Sequence, residues 1–109
     1  MTRPPDGLVA RLTDDLSPLG PMDTRPFFGG LSIISETAQF AIIMGEQLYF
    51  KVNDTTRPSY IKLGLEPFSY TTRNGVREVH AYYQAPPRAL TEAALLERLA
   101  VEAIKAAEK

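Results

Sequence analysis

The fold is decided by residues 40–52, which read FAIIMGEQLYFKV. Two apolar segments flank Gly45-Glu46, and a glycine at the first position of a two-residue loop is typical of a type II′ turn. This pattern predicts a β-hairpin with strands at about Gln39–Met44 and Gln47–Val52.

Both faces of this hairpin are apolar, because side chains alternate across a strand. One predicted face holds Ala41, Ile43, Leu48, Phe50 and Val52, and the other holds Phe40, Ile42, Met44, Gln47, Tyr49 and Lys51. Helices on one side of the sheet would leave the second face in water, and exposed apolar patches usually mark partner surfaces. Two alternatives stay open: a second helix covers this face, or two copies of the chain associate through it.

Turn and cap signals divide the rest of the chain. Before the central hairpin we expect a helix from Asp6 to about Leu16, then strands at about Thr24–Phe28 and Leu31–Ser35 around a Gly29-Gly30 turn. After it we expect a helix at about Asp54–Leu63, capped by Asn53 or Asp54 and ended by Gly64. A second hairpin, Phe68–Arg73 and Val76–Gln84 around Asn74-Gly75, precedes a last helix capped by Thr91.

The element order α-ββββ-α-ββ-α has only short or hairpin-like strand connections, which predicts an α+β domain of two layers, an antiparallel sheet with helices packed on it. A chain of 109 residues is long enough for one domain, and we expect residues 1–109 to form it. The longest apolar run, Phe40–Met44, is far shorter than the ~20 residues of a membrane helix. The N-terminus has no apolar signal segment, so we expect a cytoplasmic protein without membrane contact.

Charge and cysteine content exclude several function classes. Twelve Lys+Arg stand against 13 Asp+Glu, so the net charge of −1 gives no global attraction for nucleic acid. The absence of cysteine excludes disulfides and thiol chemistry. Basic residues at 57, 62, 73, 77 and 88 with nearby tyrosines resemble a nucleic-acid platform, but glutamates interrupt them. Direct nucleic-acid contact is therefore only the alternative hypothesis.

His80 is the single imidazole and the first candidate for acid–base chemistry. The turn register places it on the polar face of the second hairpin, beside Glu78 and opposite Ser69, with Tyr82 on the same face. Phe68, Tyr70 and Val79 would share the core face with Ala81 and Tyr83. No nucleophile or metal-ligand spacing surrounds His80, which favours a solvated strand residue. We predict no catalytic, cofactor-binding or metal-binding residue.

Four short motifs stand in order along the chain: Phe27-Phe28-Gly29-Gly30, LYFKVND at 48–54 with Arg57, GLEPFSY at 64–70, and YYQAP at 82–86. Together they resemble the N-terminal domain family of TfoX (Sxy), bacterial regulators of DNA-uptake competence. Phe27 stands where that family has Met, and the Trp usual in its last helix is missing. The regulators' second, helical domain is also missing, so we expect a single-domain member.

The resemblance implies an α+β fold like those of secretion chaperones, commonly dimeric, with no cofactor and no catalytic residues. Our hypothesis is a non-enzymatic regulatory domain that binds protein, as a homodimer and with an unidentified partner. Lys51 and Arg57 are the polar motif positions hardest to explain structurally. The candidate interaction surface therefore comprises Lys51, Arg57, Phe40, Ile42, Met44 and Tyr49. The alternative is a DNA-associated transcriptional co-regulator that contacts nucleic acid directly.

Overall fold

The computed structural model describes residues 12, 14–27, 30–36, 38–45 and 47–108. In this part of the chain six strands and two helices form an α+β fold, as predicted. The strands are β1 Asp23–Phe27, β2 Gly30–Ile34, β3 Gln39–Met44, β4 Gln47–Lys51, β5 Pro67–Thr72 and β6 Gly75–Gln84; the helices are α1 Arg57–Lys62 and α2 Ala93–Ala107. Leu12, Asp14 and Asp15 are helical, but most of the predicted Asp6–Leu16 helix lies outside the described residues.

The strands form one antiparallel sheet in the order β1-β2-β3-β4-β6-β5. The central hairpin is as predicted: Met44 pairs with Gln47, which leaves a two-residue connection. Gly45 has a φ of 62°, a left-handed conformation that glycine adopts without steric cost. The other loop residue, Glu46, and most of the Gly29-Gly30 turn lie outside the described residues.

One face of the sheet packs against α2 and forms the main hydrophobic core. Leu96, Ala100 and Ala103 of the helix are buried against strand residues. The strand side of this core includes Ile33, Ala41, Ile43, Leu48, Phe50 and Val52, the predicted inward face of the central hairpin. The spacing of the helix residues at i, i+4 and i+7 explains why a single stripe of α2 meets the sheet.

The second hairpin turns one residue earlier than predicted. Thr72 pairs with Gly75, so the connection is Arg73-Asn74 rather than Asn74-Gly75. The Thr72 side chain stabilises this turn, because its hydroxyl donates to the Gly75 carbonyl at 3.0 Å and accepts from the Asn74 amide at 3.2 Å. Gly75, with a φ of 116°, opens β6 instead of lying in the loop.

A bulge changes the predicted faces of β6. Phe68 pairs with Val79, but the preceding Pro67 pairs with Tyr83, so residues 80–82 have no partner on β5. As a result Tyr82 leaves the predicted polar face and is buried beside Phe68, while Tyr83 joins the main core. The predicted grouping of Tyr83 with Phe68 was therefore wrong, because the alternation expected of a regular hairpin ends where residues 80–82 interrupt the pairing.

A second bulge moves Phe40. Ile33 pairs with Ala41 and Ile34 with Gln39, so Phe40 has no partner on β2. Its ring stacks on Phe50 in the main core at 6.5 Å between centroids. Strict alternation predicted that Phe40 and Ile42 share a face. The bulge places them on opposite faces.

The second face of the sheet is partly covered by the sheet itself. Ile42 is fully buried and packs with Phe68 and Tyr82. Phe27 of one edge strand lies 6.1 Å from Phe68 of the other, measured between ring centroids. In a flat sheet five strand spacings would separate these edges by about 24 Å, so the sheet is strongly curled. Among the described residues no helix packs on this face, so the first of the two alternatives, a second helix, is not observed in this part of the chain.

The ends of the helices follow the predictions in part. Helix α1 begins at Arg57 after Thr56, later than predicted, and no side chain caps it. Asn53 instead stabilises the preceding turn, where its side-chain oxygen accepts from the amides of Thr55 and Thr56, both at 2.9 Å. Gly64, with a φ of 78°, ends α1 as expected. Thr91 does not cap α2, because its hydroxyl donates to Arg88 in a short 3-10 turn, Pro87–Leu90. No helix among the described residues is long and apolar enough to cross a membrane.

Candidate interaction surface

The curled face of the sheet presents a group of half-buried apolar side chains, which we call the aromatic face: Phe27, Met44, Tyr49, Tyr70 and Val79. Beneath them lie the buried Ile42, Phe68 and Tyr82. The members come from five different strands, so the fold and not a local motif brings them together.

Phe68 is the centre of the aromatic face. The ring of Tyr49 meets it edge-on at 5.3 Å, and Tyr70 lies 6.2 Å away between centroids. Edge-to-face and tilted arrangements at these distances are the favourable geometries for aromatic pairs. Burial raises the pKa of Tyr49, and the Glu66 carboxylate raises it further, whereas a hydrogen bond with Gln84 lowers it. The phenol therefore stays neutral near pH 7.

Lys51 borders this surface. It pairs with Tyr82 in the sheet, and its ammonium lies 5.2 Å from the centre of the Tyr82 ring, within cation–π range. The Tyr82 hydroxyl in turn accepts a hydrogen bond from the Gln39 side-chain amide at 3.1 Å. Lys51 thus adds a positive charge beside the aromatic side chains while its stem packs over one of them.

Arg57 has a structural role that its sequence position did not reveal. Its Nε donates to the carbonyl of His80 at 2.9 Å, and its NH1 donates to Asp54 at 2.8 Å. His80 is in the β6 bulge, where β5 offers no pairing, so Arg57 satisfies a carbonyl that the ladder leaves open. The side chain is only 26% exposed. Arg57 therefore ties the start of α1 to β6.

Two of the six candidate surface residues are not accessible. Phe40 and Ile42 each have 0% exposed surface. Phe40 is in the main core because of the β2–β3 bulge, and Ile42 is covered because the sheet curls. Of the apolar candidates, Met44 and Tyr49 remain half-exposed. The sequence pattern missed Phe27 and Tyr70, because only the curvature places the edge strands beside the centre of the sheet.

His80 is exposed, as expected for a solvated strand residue. Its Nε2 lies 3.2 Å from Glu78, and its Nδ1 lies 3.3 Å from the hydroxyl of the buried Tyr83. Ser69, predicted opposite His80, pairs with Glu78 instead. The described residues hold no group of three potential metal-ligating side chains.

The basic residues do not form one continuous patch of free cations. Arg57 is bound to Asp54, and Arg88 forms a two-point contact with Glu92, with distances of 2.7 and 3.2 Å. These pairings reduce the positive charge that a phosphate backbone would meet.

The four sequence motifs correspond to structural positions. Gly30 lies where β2 approaches β3, residues 48–54 form β4 and the Asn53 turn, and Phe68 is at the centre of the aromatic face. The family model of the TfoX N-terminal domain matches residues 14–107, nearly the whole chain. The chain belongs to the TfoX N-terminal domain family. It is thus a domain of the type found in competence regulators. No curated protein matches it.

Proposed function

We propose that this TfoX N-terminal domain is a non-enzymatic, cytoplasmic regulatory domain that acts by binding protein, both as a homodimer and with a further partner. The aromatic face is the proposed contact surface. The observation that carries the proposal is that Phe27, Met44, Tyr49 and Tyr70 are half-exposed on a face where no described helix packs.

The composition of the aromatic face suits a protein partner. Aromatic residues and methionine are enriched at the centres of protein interfaces, and they contribute most when a polar rim excludes water around them. Lys51 supplies one polar group at the rim. Such a surface needs no cofactor and no reacting group, which agrees with a regulatory role.

The test compares two acidic substitutions. Met44→Glu places a charge on the aromatic face, whereas Val76→Glu places one at a 67% exposed apolar residue at the tip of the second hairpin. Light scattering at micromolar concentration measures the homodimer, and co-precipitation from a bacterial lysate measures partner recovery. We expect Met44→Glu to lower both by about tenfold or more, since burying an unpaired charge is costly. Val76→Glu should behave like the wild type.

A monomeric wild-type protein would overturn the homodimer. Equal partner recovery by the two variants would overturn the assignment to the aromatic face. A salt-dependent shift of duplex DNA by the purified domain would favour the alternative, direct nucleic-acid contact. The Lys51→Ala variant tests the rim and should weaken recovery less than Met44→Glu, because the substitution removes a partly solvated charge.

A further inference from the structure

A cavity of about 370 Å³ lies between α1 and α2, away from the aromatic face. Its walls are mainly apolar and include Tyr60 and Leu63 of α1 with Leu95 and Leu99 of α2. Arg98 and Glu102 of α2 also line it. The volume is within the range of small-molecule sites, which span about 300–1,000 Å³.

The hydroxyl of Tyr60 at this cavity makes no hydrogen bond within the described part of the chain. Tyr60 is 4% exposed, and because no fully buried side-chain polar atom of the described residues lacks a partner, its hydroxyl lies at the small part of the residue that solvent reaches. Burial raises the pKa of Tyr60, Glu102 raises it further, and Arg98 lowers it. Both charges therefore act on this phenol, which remains protonated at neutral pH and able to donate. A ligand atom in the cavity would accept a hydrogen bond from this hydroxyl in place of water.

Arg98 and Glu102 are also without partners. They are four residues apart on α2, so their side chains lie on the same face one turn apart. No ion pair joins them, and neither pairs with another residue of the described chain. The order Arg before Glu along a helix is the weaker arrangement for an i, i+4 pair. Arg88, by contrast, is held by Glu92.

We propose that the cavity between α1 and α2 binds a free apolar α-amino acid. Arg98 holds the carboxylate, Glu102 holds the ammonium, and the Tyr60 hydroxyl donates a further hydrogen bond. The apolar side chain of the ligand packs against Leu63, Leu95 and Leu99.

A zwitterion is the ligand class that matches both open charges. A simple carboxylate would bind Arg98 but bring a second negative charge close to Glu102. A simple protonated amine would bind Glu102 but bring a second positive charge close to Arg98. Like charges a few ångströms apart repel, whereas a zwitterion offers each of the two side chains its opposite charge. The mainly apolar walls favour a hydrophobic side chain over a polar one.

Three probes that share a phenyl ring on a two-carbon chain and differ in their charged groups test the proposal. L-phenylalanine carries both charges, 3-phenylpropanoate carries the carboxylate alone, and 2-phenylethylamine carries the ammonium alone. Each is titrated into ¹⁵N-labelled protein, and amide shifts of residues around the cavity give the dissociation constants. We expect L-phenylalanine to bind about tenfold more tightly than either single-charge probe, since each single-charge probe leaves one of the two charged side chains without an opposite charge.

Two variants that each remove one charge assign the charges separately. Glu102→Gln should remove the preference for L-phenylalanine over 3-phenylpropanoate, and Arg98→Gln should remove the preference over 2-phenylethylamine. Arg73→Gln, in the loop of the second hairpin, is the control and should keep both preferences. Circular dichroism checks the fold of each variant. Equal binding of all three probes by the wild type, or no shift with millimolar L-phenylalanine, would overturn the proposal. So would preferences that survive both substitutions.

Discussion

At the scale of single residues, Arg57 shows how a motif position acquires a structural explanation. Its guanidinium makes two contacts in exposed surroundings, one within the turn before α1 and one to β6. The Asp54 carboxylate is fully exposed, so this ion pair is in water and contributes little. The His80 carbonyl lies in the β6 bulge and has no partner on β5. The second contact therefore carries most of the stabilisation that Arg57 provides.

This difference predicts unequal effects of two alanine substitutions. Arg57→Ala should lower the free energy of unfolding by about 1 kcal/mol, because the exposed His80 carbonyl loses a charged donor and water replaces it only in part. Asp54→Ala should lower it by less than about 0.5 kcal/mol. Urea denaturation of both variants and the wild type measures these values. Equal losses would show that the exposed ion pair, not the bond to the bulge, is the important contact.

At the scale of elements, packing rather than turn geometry explains why Gly30 of the Phe-Phe-Gly-Gly motif is a glycine. A Cβ on Gly30 would meet the carbonyl oxygen of Ile43 at less than van der Waals distance, and also the Met44 sulfur at 3.0 Å. The nearest obstacle is backbone, which cannot rotate away. Gly64 is the opposite case: its φ is 78°, but open space surrounds it.

We therefore expect Gly30→Ala to be much more destabilising than Gly64→Ala. A forced shift of β2 against β3 should cost about 3 kcal/mol or more, at the upper end for overpacked sites. Gly64→Ala should cost about 1 kcal/mol, the penalty for a left-handed conformation. Thermal unfolding followed by circular dichroism compares the two. A milder effect at Gly30 would mean that the strands separate easily at this point.

The strand and helix ends that a glycine marks were predictable because a local signal sets them, whereas the turn of the second hairpin and the start of α2 differed from the prediction. Gly45 and Gly64 both have the positive φ that their turn and cap positions predicted. The faces of the strands were less predictable, because unpaired residues, one on β3 and three on β6, interrupt the alternation. Phe40 and Tyr82 both changed sides at such bulges. The cavity at Tyr60 was not predicted at all, since it depends on how α1 and α2 approach each other.

At the scale of the whole molecule, the curl of the sheet decides which surface the protein presents. The prediction from sequence treated the sheet as flat. It expected either a helix or another copy of the chain to cover the second face. The observed sheet instead brings β1 and β5, its two edges, close enough for Phe27 and Phe68 to touch. This contact buries part of the apolar surface within one chain and leaves a smaller group of rings exposed.

The contact between the two edges can be measured as a coupling energy. Phe27→Leu and Phe68→Leu each shorten one aromatic side chain while keeping it apolar. If the rings meet as in the curled sheet, the double variant should lose about 0.5–1.5 kcal/mol less than the sum of the single losses, the usual value for an aromatic pair. Phe27→Leu combined with Phe40→Leu is the control, because Phe40 is in the main core on the other face. Additive losses for Phe27 and Phe68 would mean that the edges stay apart in solution, which would leave Phe68 more exposed and enlarge the aromatic face.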